Sequence, residues 1–262
     1  MTGGGAATRL RVGAVRYLNA RPLVEGWPEI TLDHPAALCE QLANGDLDVA
    51  LVSSFEFLRN PIYTIVDGVS IASDGAVYSV YIAHCGEFAE IEEVELDSRS
   101  ATSATLVRCL FGERNKHACV VSGVRPKESL HQARTAKLLI GDQAIQFRQS
   151  HGDRYRYWDL GEEWKLLCGL PFVYALWLIR PGVRAADSIA ARLRAQRDEN
   201  LRQLDELIAR QITYSPDFCA HYFRECLKYD FGDREKKGLL RFRSLCQKHG
   251  ILPTTEMPLK LL

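Results

Sequence analysis

A chain of 262 residues, 47% hydrophobic and 25% charged, can bury a substantial core in one or two domains and shows no compositional mark of disorder. Its 33 Lys and Arg offset 33 Asp and Glu, which leaves no global field to gather nucleic acid or an anionic membrane surface. No run reaches the roughly 18 apolar residues of a membrane span.

The eight cysteines (Cys39, Cys85, Cys109, Cys119, Cys168, Cys219, Cys226 and Cys246) form no CxxC pair and are expected to be reduced core residues. His117 and Cys119 are close, but the remaining histidines show no ligand spacing, so no metal site is expected. Met1 to Thr8 is Gly-rich without an apolar segment, which predicts neither signal peptide nor anchor and a cytoplasmic location.

Leu10 to Val15 reads as a first strand, followed by a polar turn, Arg16 to Ala20, into a short helix begun at Pro22. Ligands bind at the carboxyl ends of strands in open α/β sheets, so Arg16, Asn19 and Arg21 stand where a carboxylate could be met. Solvated arginines and a turn-capping Asn19 are the plainer alternative. Ile30 to Leu32 is a second strand, and Pro35 to Ala43 a helix stopped at Asn44-Gly45. Leu47 to Val52 is a buried strand ending in Ser53-Ser54-Phe55-Glu56, where Ser53 and Glu56 have capping-box spacing. The same helix start offers N–H groups and hydroxyls to an anion.

Tyr63 to Val66 and Val69 to Ala72 read as two strands, and Gly75 bends the chain into an extended crossover, Ala76 to Ala83, that carries Ser79. Ser98 to Thr105 is a hydroxyl cluster leading a helix, richer than capping alone requires, and Thr102 and Ser103 are its anion-binding candidates. Lys127 to Ala133 reads as a short helix, and Ala136 to Ile140 as a buried strand, after which Asp142 is placed to cap the helix Gln143 to Gln149. Gly169 to Trp177 is a second apolar run, opened by Gly169, Leu170 and Pro171 and bounded by Pro181-Gly182. Two such passes predict a two-lobed α/β protein with the site in the cleft. Residues 10–82 and 178–262 would form one lobe and residues 83–177 the inserted one. One long amphipathic helix is expected from Ala185 to Ile212, then helices begun at Ser215-Pro216 and capped by Asp233.

There is no GxGxxG, Walker loop, HExxH or GxSxG. Strand ends and helix starts rich in Ser, Thr, Asn and Asp suit a small polyoxygenated anion, held by a binding protein or by an enzyme alike.

VRYLNARPL at 15–23, GDLDVALVSSFEF at 45–57, SATSATL at 100–106, LLIGDQAI at 138–145 and WKLLCGLPFVYALW at 164–177 together resemble the chorismate dehydratase family, the first enzyme of the futalosine route to menaquinone. Arg16 stands where that family commonly has Ser, and Cys168 where it commonly has Thr. The resemblance implies a type II periplasmic-binding-protein-like fold with a hinge of two extended crossovers. It also implies a lyase that removes water from chorismate to give 3-[(1-carboxyvinyl)oxy]benzoate without a cofactor. Asn19 would be catalytic; Arg16, Ser53, Ser54, Ser79, Thr102, Ser103, Asp142, Gly169, Leu170 and Pro171 would meet substrate. Two alternatives share this fold: a binding module for a small carboxylate, and the naphthoate-forming synthase of the same pathway.

Overall fold

β1 (Val12–Val15) and β3 (Val49–Ser53) are buried along their whole length, the pattern of parallel strands covered on both faces. They pair in parallel, Gly13 opposite Ala50, and β2 (Thr31–Asp33) joins the other side of β1. Gly13 lets the strand pack closely: a Cβ there would lie 2.4 Å from Leu47 Cδ1 and 2.8 Å from Leu38 Cδ2, so both leucine ends would have to shift. In this computed structural model residues 9–96, 100–115, 119–122 and 134–262 are described. The expected helix at Lys127 to Ala133, and Ser98 and Arg99 of the hydroxyl cluster, lie outside them.

Two mixed sheets of five strands carry the fold, in the orders β2-β1-β3-β10-β4 and β7-β6-β8-β5-β9. β4 (Thr64–Ser73) is one continuous strand where the sequence suggests two; β10 (Phe172–Ile179) runs antiparallel between it and β3. In the second sheet β6 (Glu93–Leu96) pairs in parallel with β7 (Cys119–Ser122) and β8 (Thr135–Ile140). β5 (Val80–His84) inserts antiparallel between β8 and β9 (Arg156–Asp159). Each sheet therefore receives, directly after the chain crosses to it, one antiparallel strand between its third and last members.

This arrangement moves the lobe boundaries. Residues 80–82, assigned above to the first lobe, belong to β5 of the second sheet, and residues 172–177, assigned to the inserted lobe, belong to β10 of the first. The crossings themselves are residues 74–79 and 169–171. Both runs are uniformly apolar, so their pattern announces burial without telling which sheet buries them.

Helices α1 (Arg21–Val24), α2 (Pro35–Asn44) and α3 (Ser54–Arg59) belong to the first sheet. α2 opens on Pro35 and closes on Gly45 at φ +83°. α4 (Ala101–Glu113), α5 (Gly141–His151) and α6 (Leu160–Cys168) belong to the second. The long helix expected at 185–212 is broken: α7 (Ala186–Arg202) ends before Gln203, whose carbonyl accepts from the Glu206 and Leu207 amides to start α8 (Leu204–Ala209). α9 (Pro216–His221) is capped by Ser215, as its sequence indicates. α10 (Asp233–Lys248) packs on β10, with Asp233 as its first residue rather than its cap; the Glu235 carboxylate takes the preceding Gly232 amide instead.

The two crossings are tied together by charge. Asp74 of the first accepts from Lys165 and, at 2.8 Å, from Arg234, while both cations also donate to the Gly169 carbonyl of the second at 3.1 and 3.2 Å. Burial works to raise the Asp74 pKa, but the two cations outweigh it and hold the carboxyl below its usual range. Cys39, Cys109, Cys219, Cys226 and Cys246 are buried, Cys168 is half-buried and Cys85 is exposed, all as free thiols.

Candidate functional site

A cavity opens between the sheets where the carboxyl ends of β1, β3 and β8 converge at Val15, Ser53 and Ile140. This is the crevice in which open α/β sheets hold ligands. Its polar walls come from Tyr17 and Asn19 after β1, Ser53 after β3, Ser100, Thr102 and Ser103 at the start of α4, and Tyr174 of β10. Ile71, Val77, Val80 and Ala175 supply apolar surface.

The turn Leu18–Ala20 is a single 3₁₀ turn, and three contacts fix it. The Leu18 amide donates to Asp142 Oδ1 at 2.8 Å, the Tyr229 hydroxyl donates to the Asn19 carbonyl at 3.0 Å, and the Tyr17 ring lies against Gly141. A Cβ on Gly141 would be 2.9 Å from that ring, and its φ of +57° suits glycine as well. Asn19 Oδ1 is buried and has no hydrogen-bond partner, a costly state for an amide oxygen away from water.

At the start of α4 the Ser100 hydroxyl caps the helix, accepting from the Ser103 amide at 3.3 Å and donating to the Ser103 hydroxyl at 2.9 Å. Thr102 lies inside the first turn and does not cap. Its Oγ1 accepts from the Phe55 amide at 3.2 Å and shares a short hydrogen bond with Ser53 Oγ. The Ala101 and Thr102 amides have no intrahelical acceptor, and the dipole of this 13-residue helix favours negative charge beside them.

No Lys, Arg or His lines the cavity among the described residues. Arg16 is exposed, 3.6 Å from Asp33, and does not reach the cavity lining. Any anion held here meets neutral donors.

The remaining candidates serve other bonds. The expected capping box at Ser53 and Glu56 does not form: Ser53 spends its hydroxyl on Thr102, and Glu56 is buried against Arg59. Ser54 is fully buried and donates to the Val173 carbonyl at 2.7 Å. Ser79, also buried, accepts from the Tyr222 hydroxyl at 2.7 Å. Asp142 caps nothing; it sits in the first turn of α5, whose N-cap is Ile140, and reaches across to Leu18. Burial pushes its carboxyl up, partly offset by the Leu18 amide. Gly169 closes α6 at φ +71°, and the Pro171 carbonyl accepts from Trp164 Nε1, so Gly169, Leu170 and Pro171 lie outside the cavity lining.

Thus Asn19, Ser53, Thr102 and Ser103 are brought together, while Arg16, Ser54, Ser79, Asp142 and the Gly-Leu-Pro segment stand behind or away from them. Tyr17, Ser100 and Tyr174 line the cavity without having been singled out as candidates. Ser100 belongs to the hydroxyl cluster and Tyr17 to the motif around Asn19, and these are the signals the sequence holds for them. Tyr174 shares its buried hydroxyl with Ser73 at 3.1 Å, and burial holds it protonated well above the usual tyrosine range.

Among the described residues no group of three or more His, Cys, Asp or Glu side chains could hold a metal ion, and no helix is long and apolar enough to cross a membrane. A protein from Archaeoglobus fulgidus matches at TM-score 0.70 and 14% identity, over 95% of this chain and 100% of its own. A Candida albicans protein described as exhibiting the generic periplasmic binding protein fold matches at TM-score 0.62 and 9% identity, over 95% of this chain and 92% of its own. The two-lobed architecture is thus that of periplasmic binding proteins. A chorismate dehydratase from Thermus thermophilus is 29% identical over 261 residues, covering 88% of this chain and 93% of that protein. The menaquinone biosynthesis family matches residues 10–248, nearly the whole described chain, and to that family this protein belongs.

Proposed function

We propose that the protein is a chorismate dehydratase, converting chorismate to 3-[(1-carboxyvinyl)oxy]benzoate and water inside the cell, as a step of the futalosine route to menaquinone. The observation that carries this reading is Asn19, whose buried, unpartnered side-chain oxygen faces a cavity furnished with hydroxyls and a helix N-terminus but, among the described residues, no cation. A dicarboxylate held by neutral donors keeps its carboxylates less tightly paired than arginines would, and so more basic.

The ring hydroxyl leaves from the carbon next to the one bearing the enolpyruvyl ether. A base removes the proton on that ether carbon, the C–H electron pair becomes the new ring double bond, and the C–O bond breaks as the protonated base returns that proton to the hydroxyl oxygen, which departs as water. The ring becomes aromatic, so the protein's task is orientation and proton transfer. The elimination is redox-neutral and calls for no cofactor. The substrate's own enolpyruvyl carboxylate serves as the base, since among the described residues no Asp, Glu or His lines the cavity. Asn19 orients that arm through its amide, accepting and donating at once, while the start of α4 with Thr102 and Ser103 receives a carboxylate.

In this reading the lobes, divided near 74–79 and 169–171, close over the substrate. Mixing the protein with chorismate and following the aromatic product by absorbance and mass tests the proposal: stoichiometric loss of water supports it, and unchanged chorismate at high enzyme concentration overturns it.

A further inference from the structure

We infer that Asp159 is a positioning residue for the reaction proposed above, its carboxylate locking a strained turn in the first crossing to the start of α6 and so setting the cavity wall. The inference rests on that reading for its kinetic consequences and on the geometry alone for the rest.

Asp159 ends β9, opposite Tyr81 of β5, and is only 5% exposed. Its carboxylate accepts from four amides. Gly161 at 2.9 Å and Glu162 at 3.2 Å are the ordinary take of a helix N-cap. Val77 at 3.1 Å and Tyr78 at 2.8 Å belong to the first crossing and exceed what capping needs.

Tyr78 is where the backbone is unusual. Its φ is +67°, and the Ser79 amide donates to the Val77 carbonyl at 2.8 Å, so the three residues form a γ-turn of the rare, strained hand. A tyrosine holds that conformation only where its surroundings enforce it. The amides of the turn's first two residues, Val77 and Tyr78, both donate to Asp159, which supplies the enforcement.

The turn directs everything after it. Val77 and Val80 on either side line the cavity. The Ser79 carbonyl accepts from the Gly141 amide at 2.8 Å, and Gly141 supports the Tyr17 ring beside Asn19. The Ser79 hydroxyl accepts from Tyr222, the first residue of a π-helical turn, Tyr222–Cys226, in the C-terminal segment. Relaxing Tyr78 to negative φ would rotate the Val77 and Ser79 peptides and loosen all three contacts together.

The test uses Asp159→Ser, which keeps an N-cap acceptor for α6 but cannot serve the two amides of the crossing, alone and combined with Tyr78→Gly or Tyr78→Ala. Amide hydrogen exchange, resolved by residue, and kcat and KM with chorismate are the readouts. In Asp159→Ser we expect exchange at Val77 and Tyr78 to rise tenfold or more, exchange early in α6 to change less than threefold, and kcat to fall at least tenfold with a smaller change in KM. Adding Tyr78→Gly, which adopts the turn without strain, should restore kcat at least threefold; adding Tyr78→Ala, which loses the ring but keeps the Cβ, should not. Should Asp159→Ser fail to fold, Asp159→Asn carries the same comparison. Unchanged exchange at Val77 and Tyr78, or equal recovery with glycine and alanine, would overturn the inference. If the wild-type protein leaves chorismate untouched, the proposed reaction falls, and the exchange measurements still decide the role of Asp159.

Discussion

Ser53 and Thr102 hydrogen-bond to each other through their hydroxyls across the two sheets, one at the end of β3 and the other in the first turn of α4. Both are buried, and Thr102 also takes the Phe55 amide. The bond joins the lobes in the cavity lining and uses one hydroxyl donor that a carboxylate would otherwise take. Under the proposed function, ligand binding would exchange one hydroxyl partner for a charged one, an exchange that favours the anion because hydrogen bonds to charged groups are the stronger.

Replacing Thr102 and Ser103 together by Ala tests this. Each hydrogen bond to a charged group is worth about 1.5–3 kcal/mol, so product affinity should fall by at least tenfold. The Phe55 amide loses its acceptor as well, which adds about 1–3 kcal/mol of destabilisation. A product-binding constant equal to wild type, measured beside the unfolding midpoint, would remove this helix start from the site.

Asn19→Ala is expected to keep the fold, because the turn is fixed through main-chain contacts to Asp142 and Tyr229 rather than through the Asn19 side chain. Turnover should drop on the order of 10²-fold if the amide orients the reacting arm. Loss confined to KM would make Asn19 an anchor only. Asn19→Asp should be worse than Ala, since a new carboxylate repels the substrate's own; better turnover than Ala would show that the site accepts a protein base.

The division between what could and could not be read from the sequence follows the range of the interactions. The buried strands at 12–15 and 49–53 and the polar turn at Asn19 are legible because apolar runs and turn residues act on their own neighbours. The hydroxyl cluster marks a helix start, but local spacing assigns the wrong partners. Ser53 pairs with Thr102 rather than capping α3, and Asp142 pairs with Leu18 rather than capping α5; both bonds span the lobes. β5 and β10 change sheets relative to expectation for the same reason. The periodicity of a strand encodes how deeply it is buried, and its neighbours are chosen by the rest of the chain. The Gly169-Leu170-Pro171 segment is distinctive because α6 must stop and β10 must begin there, a structural demand that in sequence looks like a ligand loop.

A pH dependence follows from Glu113 at the end of α4. Its Oε1 accepts from Lys248 Nζ at 2.7 Å and His249 Nε2 at 2.8 Å, both at the end of α10, so this cluster joins the lobes. The Lys248 hydrogen bond, with His249 assisting against partial burial, holds the carboxyl below its ordinary value of 4.5. A depressed native pKa means that the unfolded chain binds more protons as pH falls, so the contribution is complete above the unfolded value and lost as pH drops through the native one. Glu113→Gln should be less stable than wild type at neutral pH by up to about 1 kcal/mol. Urea unfolding from about pH 7 down to 3 should show the gap closing; a gap constant with pH would show that packing, not charge, is responsible.

Gly161, in the first turn of α6, is packed tightly against the first crossing. A Cβ built there would lie 2.4 Å from the Gly75 carbonyl oxygen, 2.6 Å from Ser73 Oγ and 2.8 Å from the Tyr174 hydroxyl. Its backbone is not left-handed, so helix propensity alone would make Gly161→Ala stabilising by up to about 1 kcal/mol. The clash decides otherwise. The nearest atom is main chain of the first crossing and cannot swing aside, and overpacking of this kind costs roughly 1–3 kcal/mol or more. Gly169→Ala is the control: its φ of +71° strains alanine by about 1–2 kcal/mol, but nothing lies within 4 Å of the added methyl. Both variants should therefore lose stability, with Tm lower by about 2–4 °C for each kcal/mol in a chain of this size. Only Gly161→Ala should also weaken product binding, because it pushes the first crossing away from the cavity that Val77 lines. A Gly161→Ala protein with wild-type Tm and wild-type affinity would show that α6 and the first crossing are not in contact in solution.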